Sequence, residues 1–379
     1  MKLLHLSDLH LGKRVNGFSM IADQRYILDR ILEIVGQESP DAVLIAGDIY
    51  DKSVPTEEAV ELFDRFLNGL TDLGTTVFVI AGNHDSAERL AFGGKLFGRS
   101  GVHFSPVYRG IVEPVILEDD YGSVAIWLLP FVKPVHIRRY WPESDPKSVD
   151  QAVRYAISKL DRNPQIRNVL VAHQFVTGSS RCDSEELSVG GTDGVGVDAF
   201  EGFDYVALGH LHGPQSAGLP AVRYAGSPLK YSFSEARQKK SVTVVELGAK
   251  QDVTVRQVLL IPQRDLAELK GSYDELTERS FYEQTGHQLD YIRITLTDQE
   301  DVPNAAARLR VIYPYLMKLD YENRGAGGSI EASDENEAEK LSPMELFSAF
   351  FEKQNDRAMN REQIRYLEHL FEQIWEDGQ

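Results

Sequence analysis

The chain has 379 residues, long enough for two or three domains with a sizeable core, and its 58 Asp and Glu outnumber 40 Lys and Arg to give a formal charge of −18. That balance argues against a general affinity for nucleic acid, but it leaves room for a local basic groove or for bound metal ions that bring their own positive charge. The single cysteine, Cys182, cannot close an internal disulfide, no signal peptide is expected ahead of Leu3-Leu4-His5-Leu6, and no apolar run has the length of a membrane span, so the expectation is a cytoplasmic α/β protein.

Residues 3–6 read as a strand followed by Ser7-Asp8-Leu9-His10. Asp8 and His10 are two residues apart, so in extended backbone both point to one side and can hold one divalent ion. Residues 21–35 carry Ile27, Leu28, Ile31, Leu32 and Val35 at helical spacing. The next apolar run, 42–46, is closed by Gly47-Asp48, which reads as a buried strand delivering a carboxylate to a loop at the edge where open α/β sheets place ligands. Pro55 and Thr56 start a helix over 56–70, with Glu57 and Glu58 in its first turn.

A third strand, 75–80, ends in Ala81-Gly82-Asn83-His84-Asp85. Asn83 can offer a carbonyl oxygen, His84 can give or take a proton, and Gly82 lets the backbone approach closely. Strands at 124–129, 169–172, 205–208, 222–227 and 241–247 follow; the second runs into His173-Gln174 and the third into Gly209-His210-Leu211-His212, which repeats the spacing of the first motif. This alternation predicts a layered α/β domain with its loops gathered at one edge.

Near Ile261-Pro262 the pattern changes. Residues 291–297 alternate, 303–312 are helical and 315–321 alternate again, a small β-α-β unit. The expected division is a domain over 1–262, a second over 263–325, an acidic linker over 326–340 and a helical tail over 341–379. Ser342-Pro343-Met344-Glu345 is a capping box. The tail aligns Met344, Phe347, Phe350 and Phe351, then Ile364, Leu367, Leu370, Phe371, Ile374 and Trp375, apolar faces suited to a partner's groove.

Asp8, His10, Asp48, Asn83, His173, His210 and His212 are oxygen and nitrogen donors, with no thiolate among them, each placed after a strand-like run. Such a set suits Mn²⁺, Fe or Zn²⁺ better than Ca²⁺. With Asp48 as a bridge each of two ions has four protein ligands. Ions about 4 Å apart can generate a hydroxide between them and neutralise a phosphoryl oxygen, so in-line attack on a phosphodiester is the natural reaction. His84 is then available to protonate the leaving oxygen or stabilise the transition state. Alone, an Asp after a strand is usually a turn residue and a lone His usually satisfies a carbonyl; five such motifs in series are hard to obtain by accident.

Asp8-Leu9-His10, Gly47-Asp48-Ile49-Tyr50-Asp51, Gly82-Asn83-His84-Asp85, His173 and Gly209-His210-Leu211-His212 resemble the calcineurin-like metallophosphoesterase superfamily. Leu6-Ser7-Asp8-Leu9-His10-Leu11-Gly12-Lys13, Ala172-His173-Gln174-Phe175-Val176 and the segment from Tyr224 to Ser232 narrow the resemblance to its bacterial DNA-processing nucleases, over essentially the whole chain. The resemblance implies a four-layer β-sandwich flanked by helices, with a small α/β capping domain and a helical tail. It implies one Mn²⁺ on Asp8, His10, Asp48 and His212, and another on Asp48, Asn83, His173 and His210, with His84 catalytic. It also implies a homodimer within a heterotetramer, completed by a coiled-coil ATPase bound through the tail, that cuts DNA ends and hairpins.

Two other readings compete. A small-molecule or cyclic-nucleotide phosphodiesterase predicts neither the second domain nor partner helices. A DNA-end-binding scaffold with little catalysis is opposed by the intact His84. Of the smaller features, Lys13-Arg14 are placed to hold DNA phosphates; Arg138-Arg139 and Arg237-Gln238-Lys239-Lys240 read as solvated surface; Asp51 and Asp85 are placed to orient His side chains; Cys182 reads as a structural or surface thiol. His5, His103, His136, His287 and His369 carry no role.

Overall fold

The apolar runs at the centre of the chain do not alternate because both of their faces are covered. All five residues of Ala42–Ala46 and all seven of Arg167–His173 are buried. In the computed structural model, which describes residues 1–185 and 194–322 together with 359, 363 and 364, these strands are interior members of two six-stranded sheets. The first sheet runs Val253–Leu259, Ser241–Leu247, Lys2–Leu6, Ala42–Ala46, Thr76–Ile80, Val102–Phe104. The second runs Gln215–Ala217, Leu219–Tyr224, Tyr205–Gly209, Arg167–His173, Gly122–Leu129, Val115–Asp119.

The two sheets face each other. Leu44, Phe78, Ile80 and Val245 of the first pack against Ile126, Val171, Tyr205 and Ala207 of the second in a fully buried layer. Helices Ile21–Glu38 and Glu57–Asp72 cover the outer face of the first sheet through Ile27, Ile31, Val35, Leu62, Phe66 and Leu70. Helices Pro134–Tyr140 and Val149–Ser158 cover the second through Ile137, Val153 and Ile157. The result is the four-layer sandwich expected from the resemblance. Lys2–Leu6, Ala42–Ala46 and Thr76–Ile80 are mutually parallel, as are Gly122–Leu129, Arg167–His173 and Tyr205–Gly209. Parallel neighbours finish at the same edge of a sheet, which is how loops far apart in sequence become neighbours.

Strands Leu266–Gly271, Tyr291–Leu296 and Leu316–Tyr321 form a separate parallel sheet with its own core of Leu276, Ile292, Ile294, Leu309 and Tyr313. The sequence pattern shows only the second and third, joined by helix Ala305–Ile312. Glu268 and Lys270 interrupt the apolar pattern of the first, as suits an edge strand. Among the described residues no helix is long and apolar enough to cross a membrane. The acidic linker and the tail helices, apart from residues 359, 363 and 364, lie outside the described residues.

His5, which carries no sequence motif, pins the two sheets together. It sits fully buried on Lys2–Leu6, and its Nε2–H donates to the Leu208 carbonyl at 3.2 Å while Nδ1 accepts from the Tyr205 hydroxyl at 2.9 Å. Burial holds its pKa down at about 3 against an ordinary 6.5. The unfolded chain therefore takes up a proton that the native protein refuses. Stability from this group is complete above pH 6.5 and drains away as the pH falls toward 3. Between pH 7 and 4.5 it should cost about 2–3 kcal/mol, a loss that His5→Asn should remove. Urea denaturation of both proteins in chelator checks this, and parallel acid slopes would show that His5 is not the titrating group.

Candidate metal centre

Five strand ends meet at one edge of the sandwich. Asp8 and His10 follow Lys2–Leu6, Asp48 follows Ala42–Ala46, and Asn83 and His84 follow Thr76–Ile80. His173 ends its own strand, and His210 and His212 follow Tyr205–Gly209. The loops are stitched together by backbone: Asp8 N–H donates to the Gly47 carbonyl and His10 N–H to the Asp48 carbonyl, each at 3.0 Å. Asp8, His10 and Asp48 adopt φ of 53°, 44° and 50°. This corrects the expectation that Asp8 and His10 share a side through extended backbone. Each occupies a left-handed bend, costing about 1–3 kcal/mol, of the kind that structures tolerate where function requires it.

Glycines make the close approach feasible. A Cβ on Gly82 would lie 2.1 Å from Asp48 Oδ1, and one on Gly47 would lie 2.4 Å from His173 Nδ1.

The side chains form two groups. In one, His10 Nε2 faces His212 Nε2 at 3.1 Å, and Asp8, His10 and His212 each offer a ligand atom within 4.8 Å of the others. In the other, Asn83 Oδ1 lies 3.0 Å from His173 Nε2 and 3.0 Å from His210 Nδ1. Asp48 stands between them, with Oδ2 3.7 Å from His10 Nε2 and 3.4 Å from His173 Nε2. Its Oδ1 accepts the His84 backbone N–H at 3.0 Å. Asp8 Oδ1 accepts the His210 N–H at 2.9 Å, whereas Asp8 Oδ2 is buried with no hydrogen-bond partner. The paired spacings of the sequence therefore diverge: Asp8 and His10 stay together, but His210 joins Asn83 and His173 while His212 joins His10.

Asp8, His10, Asp48, His173 and His212 are all at most 2% exposed. Burial raises the Asp8 pKa to about 6, despite the opposing charge of His173. Burial also disfavours charge on both Asp48 and His173, yet each outweighs it for the other: Asp48 is held well below the carboxylate range, and His173 is raised to about 9. Burial lowers His10, and brings His210 down to about 3. The site thus concentrates imidazoles, carboxylates and one orphaned carboxylate oxygen in a largely buried pocket. That donor chemistry fits divalent cations, which must displace the His173 proton on binding. His173 Nδ1–H donates to the Ala46 carbonyl at 2.8 Å, which directs Nε2 toward Asp48 and Asn83.

Residues 1–214 match the calcineurin-like phosphoesterase family, and residues 262–355 match the type 5 capsule protein repressor C-terminal domain. The SbcD component of nuclease SbcCD from Staphylococcus saprophyticus subsp. saprophyticus is 30% identical over 384 residues, covering 100% of both chains. Its counterpart in Staphylococcus epidermidis is 30% identical over 376 residues, covering 98% of each. The chain belongs to the SbcD nucleases of the calcineurin-like phosphoesterase family. It is a metal-dependent phosphodiesterase.

Around these residues the SbcD-type site has a surround that local sequence only partly reveals. His84 Nδ1–H donates to the Asp51 carbonyl at 3.1 Å, which turns Nε2 toward Asp48 Oδ2, 3.9 Å away. The Asp51 carboxylate lies 3.7 Å from His10 Nδ1 and pairs with Lys13 Nζ at 2.7 Å. Asp85 orients no imidazole. Its carboxylate accepts the backbone N–H groups of Ile49, Tyr50 and Gly82 at 3.1, 3.0 and 2.9 Å, clamping two ligand loops together. Lys240 is not solvated surface: it is 4% exposed and pairs with Glu235, which is fully buried. Neither Glu235 nor Ser184 stands out in sequence, because Ser232-Phe233-Ser234-Glu235 looks like an ordinary turn and Ser184 belongs to no motif. Cys182 is half-buried, and burial pushes its thiol pKa up, as befits an inert structural thiol.

Proposed function

We propose that this chain is the nuclease component of a DNA-processing complex, cutting phosphodiester bonds at a centre of two Mn²⁺ ions. Asp8, His10, Asp48 and His212 would hold one ion, and Asp48, Asn83, His173 and His210 the other. The observation that carries the reading is the position of Asp48 Oδ2, 3.7 and 3.4 Å from ring nitrogens of two separate donor groups. A carboxylate so placed suits a bridge. When bound, the cations supply Lewis acidity toward a water nucleophile and a phosphoryl oxygen. A mixed set of imidazoles, carboxylates and an amide carbonyl with no thiolate suits Mn²⁺, Fe or Zn²⁺, and Mn²⁺ is the ion the resemblance implies. With Nδ1–H held by the Asp51 carbonyl, His84 as the imidazolium donates Nε2–H to the leaving oxygen or to charge developing in the transition state.

The relatives' names, components of nuclease SbcCD, support a partner; that partner is read as the ATPase SbcC, and the apolar faces of the tail at 341–379 are the proposed contact. The same reading gives exonuclease action on double-stranded ends and endonuclease action on single-stranded or hairpin DNA. It places residues 1–262 as the nuclease domain and 263–325 as the cap, in a cytoplasmic homodimer within a heterotetramer. Lys13 and Arg14 beside the first ligand motif are proposed DNA-phosphate contacts.

Hydrolysis of duplex DNA and of a generic phosphodiester, with Mn²⁺ and with chelator, tests the reading. Both substrates should be cut only with metal. His84→Ser should slow cleavage by about 10²-fold or more while leaving Mn²⁺ content unchanged, because His84 is assigned chemistry and not ligation. Full activity in that variant, or activity in chelator, would overturn the proposal.

A further inference from the structure

Beyond the ligands themselves, we infer that Ser184 and Glu235 form a relay that fixes the tautomer and orientation of His212. The inference rests on His212 being a metal ligand. Ser184 Oγ lies 2.7 Å from His212 Nδ1 and 2.5 Å from Glu235 Oε1. A hydroxyl has a single proton to give, and an ionised carboxylate can only accept. The Ser184 proton therefore goes to Glu235, and the oxygen of Ser184 must accept Nδ1–H from His212. That leaves the Nε2 lone pair of His212 facing His10 and the donor group it completes.

Glu235 stays ionised because Lys240 Nζ bonds its other oxygen at 2.5 Å, in a pocket where both side chains are nearly inaccessible. Lys240 Nζ also donates to the His212 carbonyl at 2.8 Å, and Glu185 Oε1 accepts the His212 backbone N–H at 2.6 Å. Ring, carbonyl and amide of this one residue are thus each held by a separate side chain. Glu235 contributes further backbone order by accepting the Tyr231 N–H at 3.2 Å. A buried ion pair of this kind is a weak source of net stability. Its value here lies in presenting a fixed acceptor to a hydroxyl that touches the imidazole, an arrangement that in metal sites raises ligand basicity and locks ring direction. Ser184 and Glu235 are positioning residues, acting on the metal only through His212.

Titration of Mn²⁺ into chelator-stripped full-length protein, followed by calorimetry and by Mn²⁺ electron paramagnetic resonance, tests the relay. Wild type should bind two ions and show a spin-coupled pair. Ser184→Ala removes a single half-buried hydroxyl and should weaken one of the two ions by about 10- to 100-fold, leaving the other unchanged. At limiting Mn²⁺ its spectrum should be that of an isolated ion. Ser184→Thr, which keeps the hydroxyl, should restore the coupled pair. Glu235→Gln should resemble Ser184→Ala; should it fail to fold beside Lys240, the serine pair decides alone. His212→Ala separates this inference from the reading beneath it. If His212→Ala binds both ions as wild type does, His212 is no ligand and the reading fails. If His212→Ala loses one ion while Ser184→Ala binds both normally, the relay is wrong and the metal centre stands.

Discussion

Asp48→Asn is expected to abolish tight binding of both metal ions and to lower phosphodiester hydrolysis by about 10³-fold or more. The substitution keeps the size of the side chain and removes only its charge. An amide can still accept the His84 N–H where Oδ1 does now, at 3.0 Å. It cannot present an anionic oxygen to the two donor groups, whose nearest nitrogens lie 3.7 and 3.4 Å from Oδ2. The variant also loses the main countercharge that raises His173, so the pKa of this buried imidazole should fall. Elemental analysis of the purified variant and its turnover of a generic phosphodiester measure the two effects together. Two Mn²⁺ ions bound at wild-type affinity would sink the bridging role. The contrast with His84→Ser is diagnostic, since one variant loses metal and rate and the other loses rate alone.

Gly209→Ala should destabilise the protein by about 3 kcal/mol or more, or prevent folding. A Cβ there would lie 1.9 Å from the Ala46 carbonyl oxygen and 2.7 Å from His173 Nδ1. The oxygen it strikes is the one that accepts the His173 Nδ1–H at 2.8 Å, so the methyl group attacks the bond that directs this ring. Ala46 cannot yield, because its strand is paired on both sides, with Lys2–Leu6 and Thr76–Ile80. The contact also joins the two sheets, so relieving it means prising the sandwich apart. Gly36→Ala gives the opposite sign. That glycine is exposed near the end of helix Ile21–Glu38, a Cβ there meets only Leu73 Cδ2 at 3.8 Å, and alanine should add about 0.5–1 kcal/mol. Urea denaturation in chelator reads both, and equal effects would show that the close approach at Gly209 is relieved at little cost.

The kinds of donor, their order and their attachment to strand ends are legible in the residues alone. Hydrophobic runs and the polar residues that close them are local properties, visible within about ten residues of Asp48 or Asn83. The same locality explains the outer helices, whose apolar spacing marks one face, and the family likeness carried by short motifs.

Which donor meets which depends on how the chain packs in three dimensions. His10 and His212 touch across 202 positions, and His210 and His212, neighbours in sequence, part to different groups. Asp85 became a clamp on backbone amides, Lys240 went inside, and His5 and Glu235 took posts that no motif announced. The physical reason is common to all of them. Each is directed by a side chain distant in sequence or by backbone groups, and a backbone amide or carbonyl is the same at every residue, so it leaves no mark in the sequence to be read.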